Sequence, residues 1–221
     1  AITNTEVLTF TNKNDIWDAS GANELITIGG TAAASNTQRK YTSSSAIVYD
    51  GNSDYLQIPA NDFFNFGTDD FTMETYVYAV ATSNLYPAFM SSVTGWSSGA
   101  NGHRFDNTGH SGKFGFYVNG FGGRSSGNPF MHTTNTFSHD TWYHYAVTRS
   151  GNTFRMFIDG VLEDTQTSTG SLNIALGGFR SGWSFDGANG YFNGYVQDMR
   201  ITRGLARYTT NFTPPTEEFS G

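Results

Sequence analysis

The chain contains no cysteine, so neither a disulfide nor thiolate chemistry contributes to its fold or its activity. It also lacks any run of about 18 apolar residues, the length needed to span a membrane as a helix. A helical spacing of about 3.6 residues between apolar positions never persists beyond roughly one turn. These three absences leave the class of proteins that are built from short strands and turns.

Charge is scarce and mostly of one sign. Only 14% of the 221 residues are charged, and 12 basic against 19 acidic residues give a net charge of −7. Nucleic acids and anionic membranes both attract basic surfaces, so neither is an expected partner. Aromatic residues reach 16% and glycines number 26, a composition typical of many short strands joined by tight turns.

The clearest strand pattern is "TFRMFIDGVLEDTQT", in which Phe154, Met156 and Ile158 alternate with their neighbours. The pair Asp159-Gly160 tolerates positive φ angles and predicts a type I′ turn, hence a hairpin. Similar patterns in "SAIVYDGNSDYLQIP", "DFTMETYVYAV", "KFGFYVNG" and "TWYHYAVTRSGN" predict further antiparallel strands with one buried face each. "NDFFNF" predicts one helical turn. A single β-sandwich domain over residues 1–221 is expected from this length.

Two glycine-rich segments, residues 91–112 and 177–190, are predicted to be exposed loops. Sugars are held by aromatic faces and by planar amide, guanidinium or carboxylate groups, and both segments contain these side chains. The candidate glycan-binding residues are Trp96, Asp106, Asn107, Arg180, Trp183, Asp186 and Asn189. The alternative is that each tryptophan folds back as a lid on a sheet face, because large apolar groups rarely project into water.

Four segments in chain order, "SAIVYDGNSDYLQIP", "FTMETYVY", "TWYHYAVTRSGNTFRMFIDGVL" and "YFNGYVQDMRITRG", resemble the laminin-G-like family. The resemblance covers about Thr5 to Pro215. It implies an all-β, concanavalin A-like jelly roll of two curved antiparallel sheets.

The end of the chain, "RITRGLARYTTNFTPPT", is similar to laminin-G-like modules of bacteriophage virion proteins, notably those of marine cyanophages. The opening "AITNTEVLTF" has no methionine and looks like the start of such a module within a tandem array. The resemblance therefore implies a module excised from a longer protein, with neighbouring copies of itself as partners and a location on the virion surface or outside the cell.

The segment 194–201 resembles the last strand of the family. Val196, Met199 and Ile201 cannot all alternate, so a β-bulge is expected near Gln197 and Asp198. The three arginines that follow, Arg200, Arg203 and Arg207, are interpreted either as ties that hold the tail across the sandwich or as a solvated patch.

Many relatives carry a carboxylate at the position of Gln197 and use it, with backbone oxygens, to hold calcium. Calcium prefers several hard oxygen ligands, so the resemblance implies a calcium site in which Asp50 or Asp198 compensates for Gln197. The alternative is that Asp198 pairs with Arg200 or caps a turn.

Catalysis is not expected. Glycoside hydrolases with a jelly roll place paired carboxylates on one strand, yet the strand that would carry them, "KFGFYVNG", contains none. Glu74 stands beside Tyr76 and Tyr78 and is interpreted as structural. His103 and His110 flank Asp106 in one segment, and a solvated loop is favoured there over a transition-metal site.

Two classes of function remain. The first is a carbohydrate-binding module of a phage virion protein that recognises host-surface polysaccharide, with tandem copies supplying avidity. The second is a structural or decoration module that contacts other virion subunits. A module of a bacterial surface protein is a third alternative. An exposed Trp183 favours the first class, and a Trp183 buried against a sheet favours the second.

Overall fold

The computed structural model describes residues 5–11, 16–20, 24–92, 101–105, 111–119, 121, 129–173, 178–184 and 187–219, and for 5–11 it describes the backbone alone. Trp96, Asp106, Asn107, His110 and Asp186 lie outside these residues. Within them, no helix has the length and hydrophobicity needed to cross a membrane.

The described part of the chain forms sixteen strands and two short 3-10 helices. The strands are β1 Thr5–Thr11, β2 Ile16–Asp18, β3 Thr27–Gly29, β4 Ala33–Ser35, β5 Ala46–Asp50, β6 Tyr55–Ile58, β7 Phe71–Ala79, β8 Ala88–Ser92, β9 Asn101–Phe105, β10 Phe114–Val118, β11 Met131–His132, β12 Trp142–Ser150, β13 Thr153–Ile158, β14 Val161–Thr167, β15 Phe179–Ser181 and β16 Asn193–Arg203. The 3-10 helices are Asp62–Phe64 and Gly187–Gly190. The predicted helical turn after residue 61 is thus confirmed.

The strands form two antiparallel sheets, which confirms the predicted all-β jelly-roll architecture. A nine-stranded sheet has the order β14-β13-β12-β7-β16-β1-β2, with β5 also pairing β16 and β4. A seven-stranded sheet has the order β11-β10-β9-β8-β15-β6-β3. Strands that alternate apolar and polar residues bury one face only, so the two apolar faces pack together and leave two outer faces.

The core between the sheets is rich in phenylalanine. Phe71, Met73 and Val77 of β7 point inward, as the alternation predicts, and Phe114 and Phe116 of β10 meet them from the other sheet. The predicted hairpin is confirmed as well. Asp159 and Gly160 both have positive φ angles, 48° and 77°, which a type I′ turn between β13 and β14 requires.

The prediction of two exposed glycine-rich loops is wrong in part. Residues 101–105 form the buried strand β9, in which Asn101, His103 and Phe105 alternate with Gly102 and Arg104. The alternation of apolar residues did not predict this strand, because polar side chains occupy its inward positions. His103 is fully buried against Tyr145, with 3.0 Å between its Nδ1 and the Tyr145 hydroxyl, so it does not lie in a solvated loop.

The second of these segments contributes β15 and a 3-10 helix rather than a continuous loop. In β15, Phe179 and Ser181 are buried while Arg180 between them projects from the outer face. Residues 183–191 then form a short hairpin, because Trp183 and Tyr191 make an antiparallel bridge and the Ser184 amide donates to the Gly190 carbonyl.

The predicted bulge is confirmed in β16. Register with β7 shifts between Gln197 and Arg200, and Asp198 adopts a φ angle of 61°. Before the bulge β16 pairs with β5, and after it β16 pairs with β1. The extra residue therefore lies at the point in β16 where the pairing along one edge changes from β5 to β1.

The C-terminal segment, residues 204–219, crosses the outer face of the nine-stranded sheet. The Thr72 hydroxyl donates to the Leu205 carbonyl, the Thr148 hydroxyl to the Tyr208 carbonyl, and the Phe212 amide to the Gly160 carbonyl. Gly160 is required here, since a Cβ atom at that position would collide with the Phe212 carbonyl. These contacts place the segment over β7, β12 and the turn between β13 and β14.

Candidate functional site

The described glycan candidates lie on the outer face of the seven-stranded sheet. β6 and β15 are paired so that Arg180 stands opposite Gln57. Leu56 and Ile58 of β6 are buried in the core, and the alternation of a strand therefore places Tyr55 and Gln57 on the outer face beside Arg180. The Arg180 guanidinium donates from Nε and Nη2 to Gln57 Oε1 at 3.0 and 2.9 Å.

Trp183 joins this face from the short hairpin that follows β15. Its ring centre lies 4.1 Å from the Arg180 guanidinium and 5.1 Å from the ring centre of Tyr191, whose plane is nearly parallel at 11°. The Tyr55 ring lies 5.6 Å from that of Trp183. We call Tyr55, Gln57, Arg180, Trp183 and Tyr191 the arginine–aromatic platform. All five side chains are half-buried.

The platform is rigid. The Trp183 indole N–H donates to the Gly187 carbonyl at 2.9 Å, and the 3-10 helix that contains Gly187 also holds the exposed Asn189. Trp183 is thus neither an exposed mobile side chain nor a lid buried on a sheet. It is a half-exposed ring fixed in one orientation, which reduces the entropy that a ligand would lose on binding.

The charge of the platform resides in Arg180. Burial lowers the pKa of its guanidinium from the ordinary value, and the phenols of Tyr55 and Tyr191 act in the opposite direction. A guanidinium nevertheless stays protonated at any physiological pH. The platform therefore combines aromatic faces, which attract sugar C–H groups, with a fixed cation and an amide that can bind hydroxyl or acidic groups.

A second arginine–aromatic cluster lies on the same outer face. Arg104 of β9 is only 2% exposed, and its guanidinium lies 4.4 Å from the Tyr117 ring and 5.2 Å from the Tyr86 ring. Arg104 stacks on two tyrosines, whereas Arg180 stacks on Tyr55 and Trp183, and its burial gives Arg104 a packing role.

The three predicted metal ligands have other partners. Gln197 Oε1 accepts hydrogen bonds from the amides of Lys40 and Tyr41 at 2.7 and 3.3 Å, and its Nε2 donates to Ser44 Oγ at 2.9 Å. An oxygen that faces two N–H donors is not placed to bind a cation. Asp50 Oδ1 likewise accepts from the amides of Asn52 and Ser53.

Asp198 and Asp50 are also far apart. Asp50 is paired with Asn193, which lies four residues from Gln197, or about 13 Å along the strand. Asp198 Oδ2 accepts a hydrogen bond from the Phe219 amide at 2.7 Å, so this carboxylate binds the C-terminal segment and does not cap a local turn. The described residues include no cluster of three acidic or histidine side chains suited to a metal. This arrangement does not fit a calcium site made by these three residues, and calcium binding stays a prediction.

A family model described as the concanavalin A-like lectin/glucanases superfamily matches residues 50–206, which is more than two thirds of the chain. The chain belongs to this superfamily. No curated protein matches it.

Several solved structures share the fold of this chain. Domain 4 of AbnA, a GH43 extracellular arabinanase from Geobacillus stearothermophilus solved with arabinotriose, has a TM-score of 0.62 at 17% identity, over 91% of this chain and 94% of that one. The binding domain of Paraclostridial Mosquitocidal Protein 1 has a TM-score of 0.66 at 14% identity, over 92% of this chain and 50% of that one.

The binding domain of botulinum neurotoxin DC, solved in complex with SialylT, has a TM-score of 0.62 at 13% identity, over 90% of this chain. The chain spans about half the length of the neurotoxin and mosquitocidal domains. These identities are low, so the similarity establishes the shared fold.

Because the superfamily includes glucanases, the position of Glu74 is informative. Its carboxylate is fully buried beneath the C-terminal segment and accepts hydrogen bonds from Arg200, His144 and Tyr208. Burial by itself raises the pKa of Glu74, but the hydrogen bond from His144 and the charge of Arg200 outweigh it and lower the pKa. An ionised, enclosed carboxylate of this kind holds the tail and is not accessible to a substrate.

The predicted role of the arginines as ties is confirmed for the described contacts. Arg200 pairs with Glu74, and Arg203 pairs with Asp69 at 2.8 Å. Arg207 donates to the Thr202 hydroxyl and lies 3.8 Å from the Glu74 carboxylate.

Sequence analysis did not select Tyr55, Gln57 or Tyr191. The first two are found by alternation, since they are the outward positions of a strand that was predicted correctly. Nothing local marks Tyr191, because its contact with Trp183 depends on the hairpin between them. Of the seven glycan candidates, the structure brings together Arg180 and Trp183, with Asn189 on the same hairpin.

Proposed function

We propose that the chain is a non-catalytic carbohydrate-binding module of a phage virion protein that adheres to glycans on the host surface. The arginine–aromatic platform carries the proposal, because a fixed aromatic face beside a guanidinium and an amide is the combination that recognises sugars. Two proteins of similar fold were solved with a ligand, arabinotriose in one and SialylT in the other.

The phage assignment depends on the resemblance of residues 200–216 to virion modules. In that setting the module would act outside the cell, on the virion surface, with host polysaccharide as its partner. A site of modest size binds one sugar chain weakly, and copies presented together on one particle raise the overall affinity without any new contact.

A second candidate function is structural decoration of the virion. Trp142, Tyr78 and Tyr195 lie side by side on adjacent strands of the nine-stranded sheet, with ring centres 5.5 and 5.8 Å apart. These three side chains are half-buried, and Trp142 also packs beside the cluster of Tyr76 and Phe219. Such an aromatic row suits contact with another virion subunit or a neighbouring copy of the module.

A glycan array probed with the 221-residue chain tests the first proposal, run once with calcium and once with chelator. We expect saturable binding to a defined set of glycans that is lost in Trp183→Ala and retained in Tyr78→Ala, a matched loss of a half-buried aromatic on the opposite sheet. Circular dichroism confirms that each variant is folded.

Binding that is lost in Tyr78→Ala and retained in Trp183→Ala would place the site on the other sheet and contradict the platform as the site. Absence of binding to every glycan by the folded chain, in both buffers, would contradict the carbohydrate-binding function and favour decoration.

A further inference from the structure

Arg180 differs from Arg200, Arg203 and Arg149 in what it binds. Arg200 and Arg203 are paired with carboxylates. Arg149 donates to the carbonyls of Gly151, Gly67 and Gly170. Arg180 has a single neutral acceptor, Gln57 Oε1, which both its Nε and its Nη2 share.

No carboxylate among the described residues forms an ion pair with Arg180. Half-buried cations in proteins are normally paired, because removal from water disfavours the charged form. Arg180 is half-buried, so water solvates its guanidinium only in part, and this burial lowers its pKa. Stacking on Trp183 at 4.1 Å and on Tyr55 at 5.1 Å fixes the guanidinium but does not neutralise it.

The fixed orientation leaves a specific donor available. The Nη1 group has no hydrogen-bond partner among the described residues, whereas Nε and Nη2 are directed toward Gln57. A planar guanidinium binds carboxylate and sulfate groups through charge-assisted hydrogen bonds, which are about twice as strong as neutral ones.

We infer that the saccharide bound at the platform is anionic, with a carboxylate or sulfate group on Arg180 and the adjoining sugar ring on the aromatic side chains. This inference rests on the proposed function, since it names the class of sugar that the same site takes. Tyr55, Trp183 and Tyr191 would contact the uncharged C–H surface of that sugar, so the anion alone would not supply the whole affinity.

The overall charge of the chain affects how acidic glycans can bind. A net charge of −7 repels polyanions at long range, so non-specific adsorption of acidic glycans is disfavoured. Binding of an anionic glycan would therefore indicate attraction to a local cation rather than to a basic surface.

The experiment uses pairs of glycans with and without an anionic group. We would measure dissociation constants for sialylated and desialylated oligosaccharides, for oligogalacturonate and its methyl ester, and for sulfated and unsulfated galactans. The proteins are the wild-type chain, Arg180→Gln, Arg180→Lys and Arg39→Gln, where Arg39 is a half-buried arginine that donates to the Thr42 carbonyl. The three pairs separate a carboxylate from a sulfate as the source of the negative charge.

We expect the anionic member of at least one pair to bind about tenfold or more tightly than its neutral partner, as one charge-assisted hydrogen bond provides. Arg180→Gln should abolish that preference while weak binding of the sugar persists, and Arg180→Lys should restore part of it. Arg39→Gln removes the same charge elsewhere and should leave the preference intact.

Equal affinity for both members of every pair, or a preference that survives in Arg180→Gln, would overturn the inference while leaving carbohydrate binding in place. If no member of any pair binds, and the wider array also shows no glycan binding, the proposed function fails together with the inference.

Discussion

Arg200 and Glu74 form a buried ion pair on adjacent strands, with 2.8 Å between Arg200 Nη2 and Glu74 Oε1. The Arg200 guanidinium also lies 3.9 Å from the ring centre of Phe219, near the end of the C-terminal segment. Tyr208 of the same segment donates its hydroxyl to Glu74. One enclosed carboxylate therefore joins two central strands to the tail that covers them.

The first prediction concerns this carboxylate. Glu74→Gln removes its charge and leaves Arg200 buried without an anion, which costs about 3–5 kcal/mol of unfolding free energy in comparable pairs. Urea unfolding at pH 7 measures the loss. Asp69→Asn is the control, because it removes the partner of Arg203. The side chains of Arg203 and Asp69 are 33% and 49% exposed, and an ion pair of this kind contributes about 0–1 kcal/mol to the free energy of unfolding. Equal losses in the two variants would show that Glu74 does not anchor the tail.

The second prediction concerns Asp198. Burial raises the pKa of its carboxyl to about 7, opposed by the hydrogen bond from the Phe219 amide and reinforced by the charge of Glu218. Because the folded-state pKa lies above the ordinary value, the folded protein binds this proton more tightly. Stability from Asp198 is therefore full below about pH 4 and is lost as the pH rises toward 7.

Asp198→Asn should thus stabilise the chain at pH 8 and flatten the decline between pH 4 and 7. Asparagine tolerates the φ angle of 61°, so the backbone of the bulge is preserved. Thermal unfolding in chelator across this pH range is the measurement, with Asp140→Asn as the control because Asp140 is exposed and has a φ angle of 58°. A profile that is identical for wild type and Asp198→Asn would contradict the prediction.

The third prediction tests Gln197 and calcium together. In Gln197→Glu, a carboxylate oxygen replaces the Nε2 that donates to the Tyr41 carbonyl and Ser44 Oγ, which leaves the carbonyl facing an anion. We expect a loss of about 1–3 kcal/mol in chelator. Melting temperatures with calcium and with chelator provide the readout.

Calcium should leave the wild-type melting temperature unchanged, because Gln197 Oε1 already accepts two amide hydrogens. If calcium restores the melting temperature of Gln197→Glu, the site lacks only a carboxylate. A rise in the wild-type melting temperature with calcium would instead support the calcium site expected from the family resemblance.

Strands with apolar residues on alternate positions were predictable, because each local period of two forces one face inward. β9 and β15 were missed for a physical reason that alternation cannot detect. His103 is buried by contacts with Tyr145 and the core, and Ser181 is buried by hydrogen bonds to Tyr49 and Phe89, so polar residues occupy the inward face. Their glycine-rich surroundings then resembled loops.

The bulge in β16 was also predictable, since three apolar residues there cannot share one face. What Gln197 binds was not, because its partners at residues 40–44 lie more than 150 positions away in the chain. Gln197 lies at the bulge, where the pairing of β16 with β5 ends. Only the packing of the segment before β5 determines which groups its side chain binds.

The fold class, the hairpin turn at Asp159-Gly160 and the placement of most core residues could be predicted from the sequence alone. Each follows from spacing or from the φ angles that a residue tolerates. The contacts within the arginine–aromatic platform depend on the tertiary structure. Arg180 meets Gln57 and Tyr55 only because β15 pairs with β6 in one register, and a shift by one residue would turn Arg180 toward the core. Pairing between distant strands is a property of the whole sandwich, and no local pattern encodes it.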